Sequence, residues 1–496
     1  MPRPNILLIF TDQQRFDTIH ALGNPIIRTP NLDRLVREGV AFRSVYTPSP
    51  VCVPARCSMI YGLYPLRTGC AYNGDPMPEG RLSLMGALSE AGYRTHGIGK
   101  MHFRPDPQAM RGFQTREHSE EMRSRVEDDD YLRFLQAHGF DHVYDPMGPR
   151  GEMYYIPQPA QMPARLHNTD WVGERSVDFI RGADGNQPFF LFASFIHPHP
   201  PFSPPTPWNK LYWASLMPLP KLPLQYEALQ TYMNRHQNRY KYRDNGIDYN
   251  LLRTMKAYYN ACISFIDFQI GKMLAALEDA GLLANTLILF TSDHGEFLGD
   301  YGCFGKRSML DAAARIPLIV RYPERFPAGT ECQLPASLVD VMPTLLSAAG
   351  AGADPSKLSG LDLAGLAAAG PNSPYAQRTV YSQFQHQGMG VHMASNRRWK
   401  YFYSAPDRQE YLFDRLEDPE ETRNRAGLSF SADRLREMRE GLFAYYRSEG
   451  LTEPLDGDRW RLYPQPSLPR DPDAGLLIQD APWAQPFREI PGYTDQ

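Results

Sequence analysis

Residues 286–294 read Thr-Leu-Ile-Leu-Phe-Thr-Ser-Asp-His, an apolar run that ends in an acid and a histidine. A run without alternation between apolar and polar residues is typical of a strand that is buried on both faces. Residues 5–12 (Asn-Ile-Leu-Leu-Ile-Phe-Thr-Asp) repeat this pattern, and 189–196 and 316–320 contain similar runs. Such strands need helices on both sides, so the runs predict an α/β fold with a large, mostly parallel central sheet.

The segment from Lys256 to Leu282 has the pattern of a helix that packs on such a sheet. Its apolar residues recur at helical spacing: Cys262, Phe265, Ile266, Ile270, Met273, Leu274 and Leu277. This spacing places them on one face, so we interpret the segment as a core helix without a chemical role.

Two of the predicted strands end in acids that are far apart in sequence. Asp12 is followed by Gln13, and Asp293 is followed by His294. Ligands bind beyond the carboxyl ends of the strands in α/β sheets of this kind. We therefore predict that both acids contribute to one site.

A chain of 496 residues is too long for one ordinary core, which predicts two parts of unequal size. Residues 349–374 are rich in Ala, Gly and Ser, and short alternating segments follow at 381–385, 391–395, 399–403 and 411–414. Alternation of this kind indicates an antiparallel sheet. We predict a large α/β domain at 1–370 and a small α+β domain at 371–496, with an extended tail from Asp456.

The composition narrows the range of partners and locations. The net charge of -4 offers no basic field, so we expect neither nucleic acid nor a membrane as a partner. No stretch approaches the roughly 18 apolar residues that a membrane span needs. The N-terminal apolar run is short and ends in an acid, unlike a signal peptide. These features predict a cytoplasmic protein.

The six cysteines are sparse and dispersed, which argues against a disulfide scaffold. The sequence contains no C-x-x-C pair, so a structural zinc site is not expected. Two of them, Cys52 and Cys57, lie in the stretch Val-Cys-Val-Pro-Ala-Arg-Cys at 51–57. We expect Cys57 to be a buried apolar residue. Cys52 requires a different explanation.

Residues 52–56, followed by Gly62, resemble the C-x-P-[SA]-R-x4-[TS]-G signature of type I sulfatases in the alkaline phosphatase superfamily. Tyr61 departs from it, since the family usually has Thr or Ser there. The resemblance extends to residues 5–12, 29–35, 99–102 and 291–295 and to the C-terminal strands. It implies an alkaline-phosphatase-like fold and oxidation of Cys52 to formylglycine. The maturing partner would be a formylglycine-generating or anaerobic sulfatase-maturing enzyme.

Formylglycine would explain why this chemistry does not rely on a plain cysteine. Its hydrate has two hydroxyl groups, one to attack sulfur and one to expel sulfate afterwards and restore the aldehyde. Attack on an anionic ester also needs a metal and positive charge around the reacting group.

The resemblance implies a metal site made of Asp12, Gln13, Asp293, His294 and an oxygen of modified Cys52. Oxygen ligands suit calcium, which we place first, or magnesium. Imidazole makes manganese, our second choice, or zinc compatible with the site. Many family members have Asp and Asn where this chain has Gln13 and His294. Those two residues resemble the branch that contains phosphonate monoester hydrolases and phosphodiesterases.

The resemblance also assigns the remaining site residues. Arg56 would neutralise the nucleophile oxygen, Lys100 and Lys306 would bind the sulfate group, and His102 would lie beside formylglycine. His199 is our choice for the general acid, and His197 is the alternative. Asn73 would contact the substrate or the hydrate, although an Asn-Gly pair also stabilises turns.

We therefore expect hydrolysis of a small aryl or alkyl sulfate monoester. A phosphonate monoester hydrolase or phosphodiesterase on the same site is the alternative, because Gln13 and His294 favour it whereas Lys100 and His102 favour the sulfatase. The Gly-Lys-Met-His-Phe segment at 99–103 also resembles choline sulfatases. A non-catalytic binding protein is a remote third possibility, since such a relative should have lost Cys52, Arg56 or a metal-matching acid. The extended tail suggests a dimer or tetramer.

Overall fold

The structure is a computed structural model that describes residues 3–122, 124–150, 154–183, 185–241, 248–352, 354–370, 373–386, 388–470 and 475. Its strands are β1 (Asn5–Thr11), β2 (Val40–Phe42), β3 (Val45–Tyr46), β4 (Arg94–Gly99), β5 (Thr115–His118), β6 (Phe189–Ser194), β7 (Thr286–Ser292), β8 (Leu318–Arg321), β9 (Thr330–Cys332), β10 (Ala336–Ser337), β11 (Val380–Phe384), β12 (Val391–Ser395), β13 (Trp399–Ser404), β14 (Gln409–Asp414), β15 (Leu455–Asp456) and β16 (Arg459–Trp460). Its α-helices are α1 (Pro30–Glu38), α2 (Cys52–Tyr61), α3 (Pro65–Thr68), α4 (Leu84–Glu90), α5 (Asp130–Ala137), α6 (Asn168–Arg181), α7 (Tyr232–Lys241), α8 (Tyr249–Asp279), α9 (Asp311–Ala314), α10 (Val341–Ala349), α11 (Leu363–Ala367) and α12 (Ala432–Ser448).

The described residues form a central eight-stranded sheet with the order β5-β4-β6-β1-β7-β8-β2-β9. Neighbouring strands from β5 to β7 are parallel, while β8 runs antiparallel to both β7 and β2. The predicted fold class, a mostly parallel mixed sheet flanked by helices, is confirmed.

Strand β1 shows why the apolar runs lack alternation. Ile6, Leu8 and Phe10 pack into the hydrophobic cluster on one face of the sheet. Leu7 and Ile9 pack into a second cluster on the opposite face, together with Ile266 and Ile270 of α8. Both faces of the strand are therefore covered by helices and exclude water.

Helix α8 is the predicted core helix, but it begins earlier than Lys256. Asp248 precedes its first turn, where the carboxylate accepts hydrogen bonds from the backbone N–H groups of Asn250 and Leu251 at 2.7 and 3.0 Å. A side-chain acceptor at this position satisfies N–H groups that have no partner within the helix.

The C-terminal sheet, defined as β11–β14, is antiparallel throughout. The prediction of a small antiparallel sheet after the Ala- and Gly-rich stretch is thus confirmed. Helix α12 contacts β12 and β13. The division at residue 370 stays a prediction, and most of the predicted tail, 476–496, lies outside the described residues.

A buried charge cluster connects the C-terminal sheet to the central part of the protein. Lys400 on β13 donates to Asp311, the first residue of α9, over 2.6 Å, and it also pairs with Glu421. The Tyr46 hydroxyl on β3 donates to the same Asp311 oxygen over 2.8 Å. Because buried charges are costly without partners, this cluster fixes the two parts against each other.

Within the part of the chain that the structure describes, no helix has the length and apolar character needed to cross a membrane.

Candidate active site

The carboxyl ends of adjacent parallel strands bring the candidate residues together. Asp12 follows β1, Lys100 follows β4 and Asp293 follows β7, and β6 leads into the segment with His197 and His199. Because parallel strands end at the same edge of the sheet, these side chains meet in one place, as is general for such folds.

Cys52 lies at the beginning of α2, which points its N-terminus at this edge. Arg56 is one turn further along, so both side chains lie on the same side of the helix. The Asn73 side-chain oxygen accepts a hydrogen bond from the backbone N–H of Val53 over 3.0 Å and thereby caps the helix. The structure therefore gives Asn73 a contact to the segment that carries Cys52.

The site is almost completely buried. Asp12, Lys100, His199, Asp293 and His294 are 0 % exposed, and Cys52 and Lys306 are 1 % exposed. Charges in such a water-poor site interact much more strongly than at the surface.

Arg56 bridges the two acids that end β1 and β7. Its guanidinium lies 3.0 Å from an oxygen of Asp12 and 3.1 Å from an oxygen of Asp293. The Lys100 ammonium contacts the same Asp12 oxygen at 2.7 Å. Burial raises the pKa of Asp12, but the charges of Lys100, His199 and Arg56 outweigh it and hold that pKa well below its usual range. Burial and the charge of Asp12 raise the pKa of Asp293 to about 7.

His294 completes a cluster of metal-ligating groups with Asp12, Cys52 and Asp293, whose ligand atoms all lie within 4.8 Å of one another. Its Nδ1 faces the Gly295 carbonyl at 3.0 Å, so Nδ1 carries the hydrogen and Nε2 keeps its lone pair. That Nε2 lies 3.2 Å from the Cys52 sulfur.

The donor set fits a divalent cation. Two carboxylates and a neutral imidazole nitrogen converge on one point, and a backbone carbonyl fixes the imidazole tautomer, as is common for metal ligands. Burial lowers the pKa of His294 well below its usual range, which keeps the ring neutral. Asp12, Asp293, His294 and residue 52 are therefore groups that would hold the ion, and Gln13, the fifth predicted ligand, stays a prediction.

The Cys52 thiol is in an environment that does not favour a thiolate. Burial and the negative charge of Asp12 raise its pKa to about 12. The thiolate is the reactive form of cysteine, so the unmodified side chain is a poor nucleophile at neutral pH.

Gln13 is held by a second group of buried residues. Its side-chain oxygen accepts a hydrogen bond from the Lys306 ammonium over 2.9 Å, and its amide nitrogen donates to Glu296. The Tyr155 hydroxyl also donates to Glu296, over 3.0 Å. Lys306 lies 3.0 Å from the Cys52 sulfur as well, so it joins this group to the nucleophile position.

The two candidate histidines after β6 lie in different surroundings. His199 Nε2 faces Glu121 at 3.3 Å and the Tyr154 hydroxyl at 3.5 Å, and Glu121 also pairs with Lys100. A turn in which the His199 N–H donates to the Ile196 carbonyl separates it from His197.

His197 lies against the scaffold on the other side of this turn. Its ring contacts Thr169 at 3.3 Å and Ser203 at 3.4 Å and stacks on His167 with centroids 5.0 Å apart. Burial lowers its pKa to about 4. The structure thus brings His199, rather than His197, next to the charged cluster.

His102 lies at the boundary between the buried site and a cavity of about 530 Å³. Glu120, Glu121 and Phe103 also line this cavity. The ring Nδ1 of His102 is buried and has no hydrogen-bond partner among the described residues. Burial lowers the pKa of His102 to about 3, so the ring is neutral at ordinary pH.

Three residues of the site have left-handed backbone conformations that non-glycine residues rarely adopt. They are Gln13 (φ 68°), His102 (φ 55°) and Arg307 (φ 66°), the last of which follows Lys306 directly. Such strain occurs mostly at functional sites, where the surrounding structure enforces it.

Two known protein families match the sequence that forms this site. The family described as "Sulfatase" matches residues 4–351, and the family described as "N-sulphoglucosamine sulphohydrolase, C-terminal" matches residues 299–446. The first match covers more than half of the chain. The chain belongs to the sulfatase family.

Individual relatives of this sulfatase-family chain include both predicted branches. An arylsulfatase of Clostridium perfringens is 30 % identical over 91 % of the chain and 96 % of its own length. A multifunctional alkaline phosphatase superfamily protein of Trinickia caryophylli is 30 % identical over 86 % of the chain and 92 % of its own. The crystal structure of a phosphonate monoester hydrolase of Agrobacterium radiobacter superposes with a TM-score of 0.76, at 25 % identity, covering 90 % of the chain and 96 % of its own.

Sequence reasoning missed four buried side chains that contact the predicted site residues: Glu121, Tyr154, Tyr155 and Glu296. Glu296 had a visible signal, because it lies three residues after Asp293. Glu121 follows β5, whose polar sequence lacks the apolar run that marks the other strands.

Proposed function

We propose that this chain hydrolyses an aryl or alkyl sulfate monoester to an alcohol or phenol and sulfate. The observation that carries the proposal is the position of residue 52. Its sulfur lies 3.0 Å from the Lys306 ammonium and 3.2 Å from the His294 ring, beside the acids bridged by Arg56. A nucleophile at this point reacts among fixed positive charges and metal-ligating groups.

Formylglycine made from Cys52 supplies an oxygen nucleophile in place of the protonated thiol. A divalent ion held by Asp12, Asp293, His294 and residue 52 would supply further positive charge for this chemistry. Calcium remains our first choice because the two carboxylates offer oxygen ligands, and manganese remains our second because it is also compatible with the imidazole.

The chain's own cations stabilise the charge that develops during ester cleavage. Lys306 offers an ammonium group 3.0 Å from the sulfur of residue 52, Lys100 offers a second one beside Asp12, and Arg56 holds the two acids in place. Preorganised donors of this kind typically contribute about 10²–10³-fold each to kcat. In this proposal His199 gives a proton to the leaving oxygen, and His102 contacts the nucleophile from the side of the 530 Å³ cavity.

A second candidate is hydrolysis of phosphonate monoesters or phosphodiesters at the same site. It is favoured by Gln13 and His294 and by the similarity to a phosphonate monoester hydrolase and to a multifunctional superfamily member. Lys100 and His102 support the sulfatase instead, because we expect the phosphonate branch to have uncharged hydroxyl residues in that segment. The two lysines, Lys100 and Lys306, also suit a terminal sulfate group better than a diester with two organic arms.

The test compares kcat/KM for an aryl sulfate, an aryl phosphonate monoester and an aryl phosphodiester with the same phenol. The protein is co-produced with a maturing enzyme, and its metal content is measured on the same preparation. We expect the sulfate to be the best substrate. A larger kcat/KM for the phosphonate or the diester would favour the second candidate. Unmodified Cys52 with no turnover of any ester would support the remote alternative, a non-catalytic binding protein.

A further inference from the structure

The Glu121 carboxylate contacts two residues of the site, although the proposed reaction assigns it no role. Its side chain is 4 % exposed, and its carboxylate pairs with the Lys100 ammonium and with His199 Nε2 at 3.3 Å. A buried carboxylate is costly unless positive groups compensate it. This carboxylate lies between the lysine on one side of the cluster and the proposed proton donor on the other.

The hydrogen bonds of His199 define which proton the ring can give away. Its Nδ1 faces the Pro200 carbonyl at 2.8 Å, and a carbonyl can only accept, so Nδ1 carries a fixed hydrogen. A second proton on the ring therefore resides on Nε2, which faces Glu121 and the Tyr154 hydroxyl.

A short ring of contacts holds Glu121 in this place. The Arg150 guanidinium donates to the Glu121 backbone carbonyl over 3.0 Å and lies over the Tyr154 ring, 5.3 Å from its centroid. The Tyr154 hydroxyl in turn contacts Nε2 of His199. Backbone, side chain and neighbouring ring thus all position the carboxylate against the same imidazole nitrogen.

We infer that Glu121 is a positioning residue that holds the transferable proton of His199 on Nε2, where the leaving oxygen takes it. This inference rests on the proposed ester hydrolysis with His199 as proton donor. A hydroxyl oxygen of residue 52 forms a bond to sulfur and releases its proton to solvent, while the bond between sulfur and the leaving oxygen breaks and its electron pair stays on the leaving oxygen. The Nε2–H bond breaks, an O–H bond forms, and His199 becomes neutral. Water returns a proton to Nε2 before the next turnover, and Glu121 stays ionised throughout.

The charge balance supports an ionised Glu121. Burial raises its pKa, but the charges of His199, Lys100 and Arg150 outweigh burial and hold the pKa well below its usual range. Lys100 cannot compensate Glu121 alone, because it also pairs with Asp12. Burial lowers the pKa of His199 well below its ordinary value, and the charge of Glu121 is the largest effect that raises it again. The carboxylate facing Nε2 therefore favours a proton on the ring against the cost of burial.

The test uses Glu121→Gln in the full-length matured enzyme, with aryl sulfates whose phenols range from good to poor leaving groups. A general acid contributes about 10²–10⁴-fold and matters most for poor leaving groups. We expect kcat/KM to fall about 100-fold for the poorest phenol and less than about 5-fold for the best. His199→Ala should show the same pattern, and the double variant should be no worse than His199→Ala alone.

Glu117→Gln is the matched control. Glu117 lies on β5, pairs with Arg175 and His96 outside the site, and should leave the whole series unchanged. If Glu121→Gln does not fold, Glu121→Asp keeps the charge and shortens the reach, and we expect its loss to grow with leaving-group basicity too.

An equal loss for all leaving groups in either Glu121 variant, or additivity with His199→Ala, would overturn the inference and leave the proposed hydrolysis standing. A leaving-group-independent loss in His199→Ala would overturn both the proton-donor role and the inference. Failure of the wild-type enzyme to cleave any ester would overturn the proposed function itself.

Discussion

The sulfur of Cys52 lies 3.0 Å from the ammonium of Lys306, although the two residues are 254 positions apart in the chain. One comes from the beginning of α2, and the other from the loop between β7 and α9. This contact places a positive charge at the atom from which the proposed nucleophile is made.

Replacing Cys52 tests whether residue 52 carries the reaction. Cys52→Ala should abolish turnover and leave thermal stability nearly unchanged, because the methyl group of alanine fits the same buried space. Ester hydrolysis and the unfolding temperature are measured on matched preparations. Cys57→Ala, five residues further along, is the control and should retain activity, since Cys57 packs in the hydrophobic core. Near-wild-type rates in Cys52→Ala would refute a nucleophile derived from this residue.

Asp293→Asn tests the metal-ligating cluster. The change removes one of two carboxylates that converge with His294, so the retained metal per protein after dialysis should fall at least about 10-fold. Elemental analysis gives the measurement directly. Asp170→Asn, which alters a carboxylate on α6 that pairs with Lys272 of α8, should keep its metal. Equal metal content in Asp293→Asn and the wild type would contradict the proposed ligand set.

Asn73→Ala distinguishes a structural from a substrate-binding role. Loss of the cap on α2 should lower the free energy of unfolding by about 0.5–2 kcal/mol. Chemical denaturation measures this change, and KM measures any contact with the substrate. Asn73→Asp keeps an acceptor oxygen and should recover most of the stability. A raised KM with unchanged stability would instead assign Asn73 to the substrate.

Lys400→Met should destabilise the protein strongly. It leaves the carboxylates of Asp311 and Glu421 buried without their shared cation, and breaking a buried pair in this way costs about 3–5 kcal/mol. Denaturant unfolding monitors the loss. Lys272→Met removes a more exposed lysine from its ion pairs and should cost about 1 kcal/mol or less. Similar losses in both variants would mean that the buried cluster contributes no more than a surface pair.

The buried ring of His392 should make the free energy of unfolding of the protein depend on pH. Burial lowers its pKa in the folded state to about 3, below the ordinary value of 6.5. Its stabilising contribution is therefore complete above pH 6.5 and is lost as the pH falls towards 3, because only the unfolded chain takes up the proton. The slope is about 1.4 kcal/mol per pH unit for one such group. His392→Gln should be less sensitive to pH by this amount between pH 6 and 4, and an unchanged slope would contradict the prediction.

The strands and the positions of the acids were predictable because burial on both faces leaves a clear signal. The runs that end at Asp12 and Asp293 are β1 and β7, and they lie next to each other in the sheet. The cysteine signature was equally visible, since it depends on residues that are adjacent in sequence.

Other parts of the site depend on the path of the backbone, which no spacing rule reveals. Two histidines two residues apart after β6 cannot be told apart from sequence, because a tight turn at Ile196–His199 determines which one faces the cluster. Glu121 follows a short, polar edge strand that has no apolar periodicity, so its place at the end of a strand could not be predicted.

The buried pairing of Asp311 with Lys400 has a consequence for protein engineering. Asp311 lies five residues after Lys306, in the same stretch of chain, while Lys400 belongs to the C-terminal sheet. A chimaera that joins the first part of this protein to the C-terminal part of a relative would therefore have to exchange Asp311, Lys400 and Glu421 as a set. If only one side were replaced, a buried charge would lose its partner at Asp311, only five residues along the chain from the lysine that contacts residue 52.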